Sequence, residues 1–186
     1  DELAAAKANL GITYPAFVVP NQIIDAWRQA GGRGAPARAA WQQRLDAAEA
    51  GKRAQFERRQ KMGLPAEYAG AVDALKQKLA AEKPKLATRK ASQNALEVIN
   101  GVLPGTFGGS ADLTSSNFTN TSQTQPFTVG DRLGRYMRYG VREHAMAATM
   151  NGIALHGGLL PYGGTFLTFT DYARPAIRLS ALMKQR

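Results

Sequence analysis

The sequence predicts an α/β protein, a parallel sheet flanked by helices and preceded by a helical linker. Three observations carry this expectation. After Pro84, short apolar runs alternate with helical patterns, an order that places strands in parallel with helices on their faces. Before Pro84 the chain is polar, alanine-rich and helical in period, with no strand pattern. A hydrophobic content of 44% with nineteen glycines in 186 residues suits a globular chain of one domain or one and a half.

The elements follow in order. Residues 1–20 hold a short helix and then Tyr14-Pro15-Ala16-Phe17-Val18-Val19-Pro20, extended because each proline biases its predecessor away from the helical region. Asn21 is expected to cap the second helix, which carries Ile23, Ile24 and Trp27 on one face. Gly31-Gly32-Arg33-Gly34 breaks it, and residues 35–62 read as one long helix ended by Gly63. Another helix starts at Pro65 and runs to about residue 81. Lys83-Pro84 marks the expected boundary between residues 1–83, a connecting region, and residues 84–186. Beyond it a helix covers 88–99, stopped by Gly101, and Thr106–Leu113 reads as a strand delivering Asp112 at its carboxyl end. Residues 114–131, rich in Ser, Thr and Asn, read as a loop. Strands at 136–139 and 159–162 bracket a helix from Glu143 to Leu155, and a last helix runs from about Thr168. Ligands gather at the carboxyl ends of parallel strands, so Asp112, Glu143 and the Phe166 region should lie together.

Composition narrows the function classes. The net charge of +10 invites a nucleic-acid reading. The excess is spread over both halves, however, and the densest basic stretch, 52–61, is interrupted by Glu57. A solvated helix face is the plainer reading, and an electropositive funnel for phosphorylated substrates is a second use; no nucleic-acid partner is expected. The absence of cysteine excludes disulfides and cysteine-ligated metals and suits a reducing, cytoplasmic setting. No apolar run is long enough to span a bilayer, and no leader pattern opens the chain, so no membrane partner is expected. The chain lacks an initiator Met, and Leu182-Met183-Lys184-Gln185-Arg186 stops in a helical pattern without a cap. An internal piece of a longer protein is the expectation.

The stretch from 140 to 172 is the most informative. Gly140-Val141-Arg142-Glu143-His144 sets one carboxylate where a strand turns into a helix, and Phe166, Phe169 and Tyr172 recur at i, i+3 and i+6 on one expected helical face. One acid beside an aromatic cluster suits a flat heteroaromatic ring that must be stacked and protonated. From spacing alone, plainer readings stay open. Glu143 could be a helix-terminal glutamate favoured by the macrodipole, the aromatics could be core, Asp112 could be a turn residue, and Arg89 is one basic residue among many. His144 and His156 are not taken as acid–base groups, since His156 before Gly157-Gly158 reads as a helix C-terminal residue.

Taken together, Gly108-Gly109-Ser110-Ala111-Asp112-Leu113, Gly140-Val141-Arg142-Glu143-His144, Asn151-Gly152-Ile153 and Pro161-Tyr162-Gly163-Gly164-Thr165-Phe166 resemble the transketolase family, in order and spacing. Thr88-Arg89-Lys90-Ala91-Ser92 and Arg178-Leu179-Ser180-Ala181-Leu182 extend the match. The resemblance implies a thiamine diphosphate-binding fold. Residues 1–83 would be the tail of the pyrophosphate-binding domain and the interdomain linker, and residues 84–186 the N-terminal, incomplete part of a pyrimidine-type domain. It implies that a two-carbon ketol unit passes from a ketose phosphate to an aldose phosphate, that the enzyme is a homodimer sharing its sites, and that the isolated chain is inactive. It carries over Glu143 as the carboxyl at the pyrimidine N1′, Phe166, Phe169 and Tyr172 as the rings around that pyrimidine, and Asp112 as the charge near the thiazolium. Arg89 and Ser116 become the holders of substrate phosphate, where a guanidinium fork and a hydroxyl suit a monoester. The divalent metal, magnesium or calcium, would be held with the pyrophosphate by another domain, so no metal ligand is expected here. Two departures stand out: Ser115 replaces a common family proline, which would loosen the loop before Ser116, and Pro175 interrupts the helix behind Tyr172. Dihydroxyacetone synthase and deoxyxylulose-phosphate synthase share the cofactor. A non-catalytic interaction module that kept the fold is a reading from another class. Retention of Glu143, Asp112, Arg89 and Ser116 weighs against that module. The pentose phosphate and Calvin routes are the pathways the family implies.

Overall fold

The computed structural model describes residues 2–185; Arg186, the last residue of the segment read as uncapped, lies outside them. The chain divides into two compact units, residues 1–53 and 54–186. The first holds α1 (Glu2–Asn9), α2 (Asn21–Gly32) and α3 (Ala35–Asp46), none of which buries a residue fully. Asn21 does not cap α2. Pro20, with φ −56° and ψ 140°, takes the N-cap position, and its carbonyl accepts from Ile23 N at 2.9 Å and Ile24 N at 3.1 Å. The proline's fixed φ lets the helix begin one residue earlier than the asparagine signal implies.

The long helix expected over 35–62 is two helices. Between α3 and α4 (Ala50–Gln60) the Glu49 carboxylate accepts from Gly51 N at 2.6 Å and Lys52 N at 3.0 Å. These are two of the donors that a helix N-terminus leaves without partners. Those bonds hold the exposed Glu49 carboxyl below its usual pKa. Glutamate is not a usual N-cap residue, so the break carries no familiar sequence mark.

In the second unit, α5 (Glu67–Glu82) begins two residues after Pro65 and ends at Lys83, whose left-handed φ of 43° turns the chain into Pro84. It packs on α6 (Thr88–Val102), which runs one residue beyond Gly101, the expected stop. Strand β1 (Thr106–Ser110) is buried along its whole length. It lies at the centre of a parallel sheet, with β2 (Tyr136–Arg138) on one side and the short β3 (Leu160–Pro161) on the other. The fold class is therefore the one expected. Gly108 and Gly109 explain how β1 fits its place. A Cβ on Gly108 would stand 2.1 Å from the Tyr162 ring, and one on Gly109 would stand 2.3 Å from the Tyr139 ring. Aromatic rings thus cover both faces of the strand at the distance only a bare backbone allows.

Two more expectations need correction. Residues 114–131 are not wholly a loop: α7 (Thr114–Asn117) forms there, and Thr119, Thr121 and Thr124 are buried. Their hydroxyls bond to one another and to Asn100 and Tyr136, which satisfies polar groups that burial would otherwise strand. Ser115 does not loosen the turn, because Ser116 N and Asn117 N both donate to Leu113 O. Helix α8 (Glu143–His156) then packs on α9 (Thr170–Leu182) through Ala147, Ala173 and Ala176. Asn151 Nδ2 donates to Ala176 O at 2.9 Å across that contact, and α9 continues through Pro175.

Candidate functional site

The carboxyl end of β1 organises the site. Ser110 Oγ, fully buried, donates to Gly164 O at 2.9 Å and accepts from Leu113 N and Asn117 Nδ2, each at 3.1 Å. One hydroxyl thus ties the strand end to α7 and to the glycine turn at 163–164. Immediately beyond, Asp112 adopts a left-handed φ of 60°, a conformation aspartate tolerates better than most residues. This turn brings its side chain to the rim of a cleft.

That first cleft has a volume of about 480 Å³. Ala111, Leu113, Val141, Phe169 and Tyr172 give it apolar walls, and Asp112 and Glu143 supply its acids. Glu143 is the first residue of α8 and is 7% exposed. Among the described residues no side chain or backbone group hydrogen-bonds its carboxylate. Its oxygens are accessible and open onto the cleft.

The aromatics stack in series. Phe166 and Phe169 have centroids 6.0 Å apart with 20° between their planes, and Phe169 and Tyr172 are 6.1 Å apart at 27°. They do not share one helix face, as their spacing implies. Phe166 is extended, Phe169 ends a 3₁₀ turn (Leu167–Phe169), and Tyr172 lies in the first turn of α9. The stack arises at the junction of three backbone states.

Phe166 faces a second cleft, of about 580 Å³, together with Arg89, Ser92, Ser116, Asn117 and Thr165. Arg89 Nη1 donates to the Ser116 carbonyl at 3.1 Å, and its guanidinium lies 5.1 Å from the Phe118 ring centroid. Among the described residues nothing else hydrogen-bonds the guanidinium or the Ser116 hydroxyl, which leaves both to face an anion. The site residues therefore fall into two groups, Glu143, Asp112, Phe169 and Tyr172 in one cleft and Arg89, Ser116 and Phe166 in the other, with the Phe166–Phe169 stack between them.

Several residues escaped the sequence reading. Ser110 looked like part of a small-residue strand. Tyr162 Oη donates to Thr119 O at 2.9 Å and accepts from Asn100 Nδ2 at 3.0 Å, and burial pushes its pKa up. Arg135 donates to the carbonyls of Leu103, Asn100 and Gln123 and to Thr106 Oγ1. Desolvation pulls its pKa down, yet arginine remains charged in proteins. Only partners distant in sequence distinguish these groups, so no local signal marks them. His144 and His156 stay apart from both clefts. No helix among the described residues is long and apolar enough to cross a membrane.

One family recurs in comparison with known proteins. Residues 84–186 match the family profile described as transketolase, pyrimidine binding domain, and residues 1–65 match transketolase, thiamine diphosphate binding domain. The chain is 53% identical to a transketolase of Rhodobacter capsulatus, over 98% of this chain and 27% of that protein. Among solved structures it resembles a transketolase from Leishmania mexicana at 34% identity and a TM-score of 0.79, covering 96% of this chain and 27% of the other. A transketolase variant from Pichia stipitis, in complex with fructose-6-phosphate, matches at 34% identity and a TM-score of 0.80, with the same coverage. The chain thus spans about a quarter of the length of the relatives it matches.

Proposed function

The chain belongs to the transketolase family, and from that premise we propose that it supplies the pyrimidine side of a thiamine diphosphate site in an enzyme that transfers ketol units. One observation carries the reading: Glu143, 7% exposed at the start of α8, lines an apolar cleft beside the stacked Phe169 and Tyr172 rings.

An aminopyrimidine fits these residues. Phe169 and Tyr172 offer it a flat apolar wall. Glu143 would hold a proton between its carboxyl and the ring nitrogen at N1′. Thiamine diphosphate, when bound, would supply the carbon nucleophile for ketol transfer. Residues of this chain orient the ring, keep water from the carboxyl and set the proton at N1′. Asp112, on the rim, places a negative charge near the cationic part of the cofactor.

In the second cleft Arg89 and Ser116 would take the phosphate of the sugar substrate. Fructose-6-phosphate in the Pichia stipitis protein is a substrate class of this kind. On the family reading a divalent ion, magnesium or calcium, would be bound with the pyrophosphate by other residues of the full-length protein; among the described residues no group of three or more His, Asp or Glu side chains could hold one. Val141, Leu167 and Tyr172 are 75%, 85% and 66% exposed around the clefts. A second subunit covering them would close the site. A cytoplasmic enzyme of sugar-phosphate metabolism follows from the same reading.

The test is turnover of the full-length protein with Glu143→Ala. Near-complete loss of ketol transfer, with circular dichroism unchanged, supports the assignment; turnover like that of the wild type contradicts it.

A further inference from the structure

Helix α6 touches the segment 116–122 through three successive rungs. Arg89 Nη1 donates to Ser116 O at 3.1 Å, and Gln93 Nε2 donates to Asn120 O at 3.2 Å. The Glu97 carboxylate accepts from Ser122 N at 2.9 Å and from Ser122 Oγ at 2.7 Å. Residues 89, 93 and 97 are four apart and share one helix face. Their partners advance along the segment in the same direction, so the segment runs beside the helix as a ladder. The opposite side of the segment is anchored to the sheet, where Asn117 bonds Ser110 Oγ and Thr119 bonds Tyr136 Oη.

Gln93 and Glu97 do not line the cleft that holds Arg89 and Ser116. Their effect on it has to be indirect. We propose that Gln93 and Glu97 are positioning residues for phosphate recognition: the ladder fixes the register of segment 116–122 on α6, and so the spacing between the Arg89 guanidinium and the Ser116 hydroxyl. The proposal rests on the reading of that cleft as the phosphate site.

The physics points to Glu97 as the rung that sets register. The Arg89 and Glu97 rungs are both charge-assisted, but Glu97 alone accepts two donors, which makes it the strongest hydrogen-bonding unit of the three. Arg89 spends one donor on the Ser116 carbonyl, which aims the rest of its fork. Phe118, one step further, sits beneath the guanidinium. If the segment slides away from α6, both the carbonyl and the ring leave Arg89 together. An arginine that has lost its orienting contacts still carries charge but presents no fixed fork, and a fork is what a phosphate reads.

The experiment is steady-state kinetics of the full-length protein with a phosphorylated and an unphosphorylated ketol donor, for wild type, Glu97→Ala, Glu97→Gln, Gln93→Ala and Arg89→Ala. Hydrogen exchange at residues 116–122 is measured alongside. Glu97→Ala should raise KM for the phosphorylated donor about three- to tenfold, the scale of one lost hydrogen bond, with a smaller change in kcat. KM for the unphosphorylated donor should stay put, and the Ser122 amide should exchange faster. Glu97→Gln, which keeps an acceptor, should recover most of the loss. Gln93→Ala should act in the same direction and more weakly, and it carries the test if Glu97→Ala does not fold. An equal change for both donors, or faster exchange with no change in KM, overturns the proposal. The failures separate through Arg89→Ala. If Arg89→Ala discriminates between donors and the ladder variants do not, the ladder alone is refuted. If Arg89→Ala treats both donors alike, the phosphate reading of the cleft falls, and the proposal with it.

Discussion

The two clefts that meet at the Phe166–Phe169 stack are made of opposite materials. In the first, apolar side chains surround the carboxyls of Glu143 and Asp112. In the second, polar groups prevail: the Arg89 guanidinium donates to the Ser116 carbonyl, the Asn117 amide donates to the Ser110 hydroxyl, and Thr165 Oγ1 is buried with no partner among the described residues. The difference separates two kinds of recognition. On the proposed reading, an acid among apolar walls suits one flat ring with one matching nitrogen. On the same reading, polar groups held by neighbouring segments, with donors to spare, suit an anion that arrives and leaves.

Several substitutions would break or sharpen that contrast. The largest effect is expected from Glu143→Ala in the full-length protein, where kcat should fall by roughly 10²–10⁴-fold, the range of general acid–base groups, with every donor alike. Arg89→Ala should come next and be selective: kcat/KM for phosphorylated sugars should drop by about 1.5–3 kcal/mol, the scale of a hydrogen bond to a charged group, with much less change for unphosphorylated analogues. Gly108→Ala tests what the clefts share. Its Cβ would press on the Tyr162 ring from 2.1 Å, and overpacking of this kind loses about 1–3 kcal/mol of stability. Thermal unfolding should show the loss, and both donors should suffer together. The smallest effect belongs to Glu49, in the other unit. Its carboxyl pKa is lowered by backbone donors, so the stability it lends α4 is present above its unfolded value, about 4.3, and is lost as pH falls through the lower folded value. Circular dichroism near pH 4 and below should report slight helix loss, and Glu49→Gln should flatten that dependence without touching either cleft.

The first cleft was legible in the sequence and the second was not, for a physical reason. Glu143 stands at a strand-to-helix junction, and Asp112 stands just beyond a glycine-rich strand. Both positions are set by local backbone, so local pattern locates them, while their roles rested on the family resemblance. Arg89 and Ser116 are 27 residues apart and meet only through tertiary packing, and the family resemblance alone singled them out. The aromatic triplet was read as a helix face because 3.6-residue periodicity cannot show that Phe166 lies outside the helix. Helix α7, at four residues, is too short to display a period. The split of the 35–62 helix turned on a side-chain cap by Glu49, a residue type that statistics do not assign to caps.

The central claim is that the two clefts do separable work. The most direct measurement is turnover of an unphosphorylated ketol donor as thiamine diphosphate is titrated, for full-length wild type, Arg89→Ala and Glu143→Ala. Arg89→Ala should follow the wild-type saturation curve, and Glu143→Ala should stay near zero at every cofactor concentration. If Arg89→Ala falls with Glu143→Ala, or Glu143→Ala turns over as wild type does, the division into a ring-holding cleft and a phosphate-holding cleft is wrong.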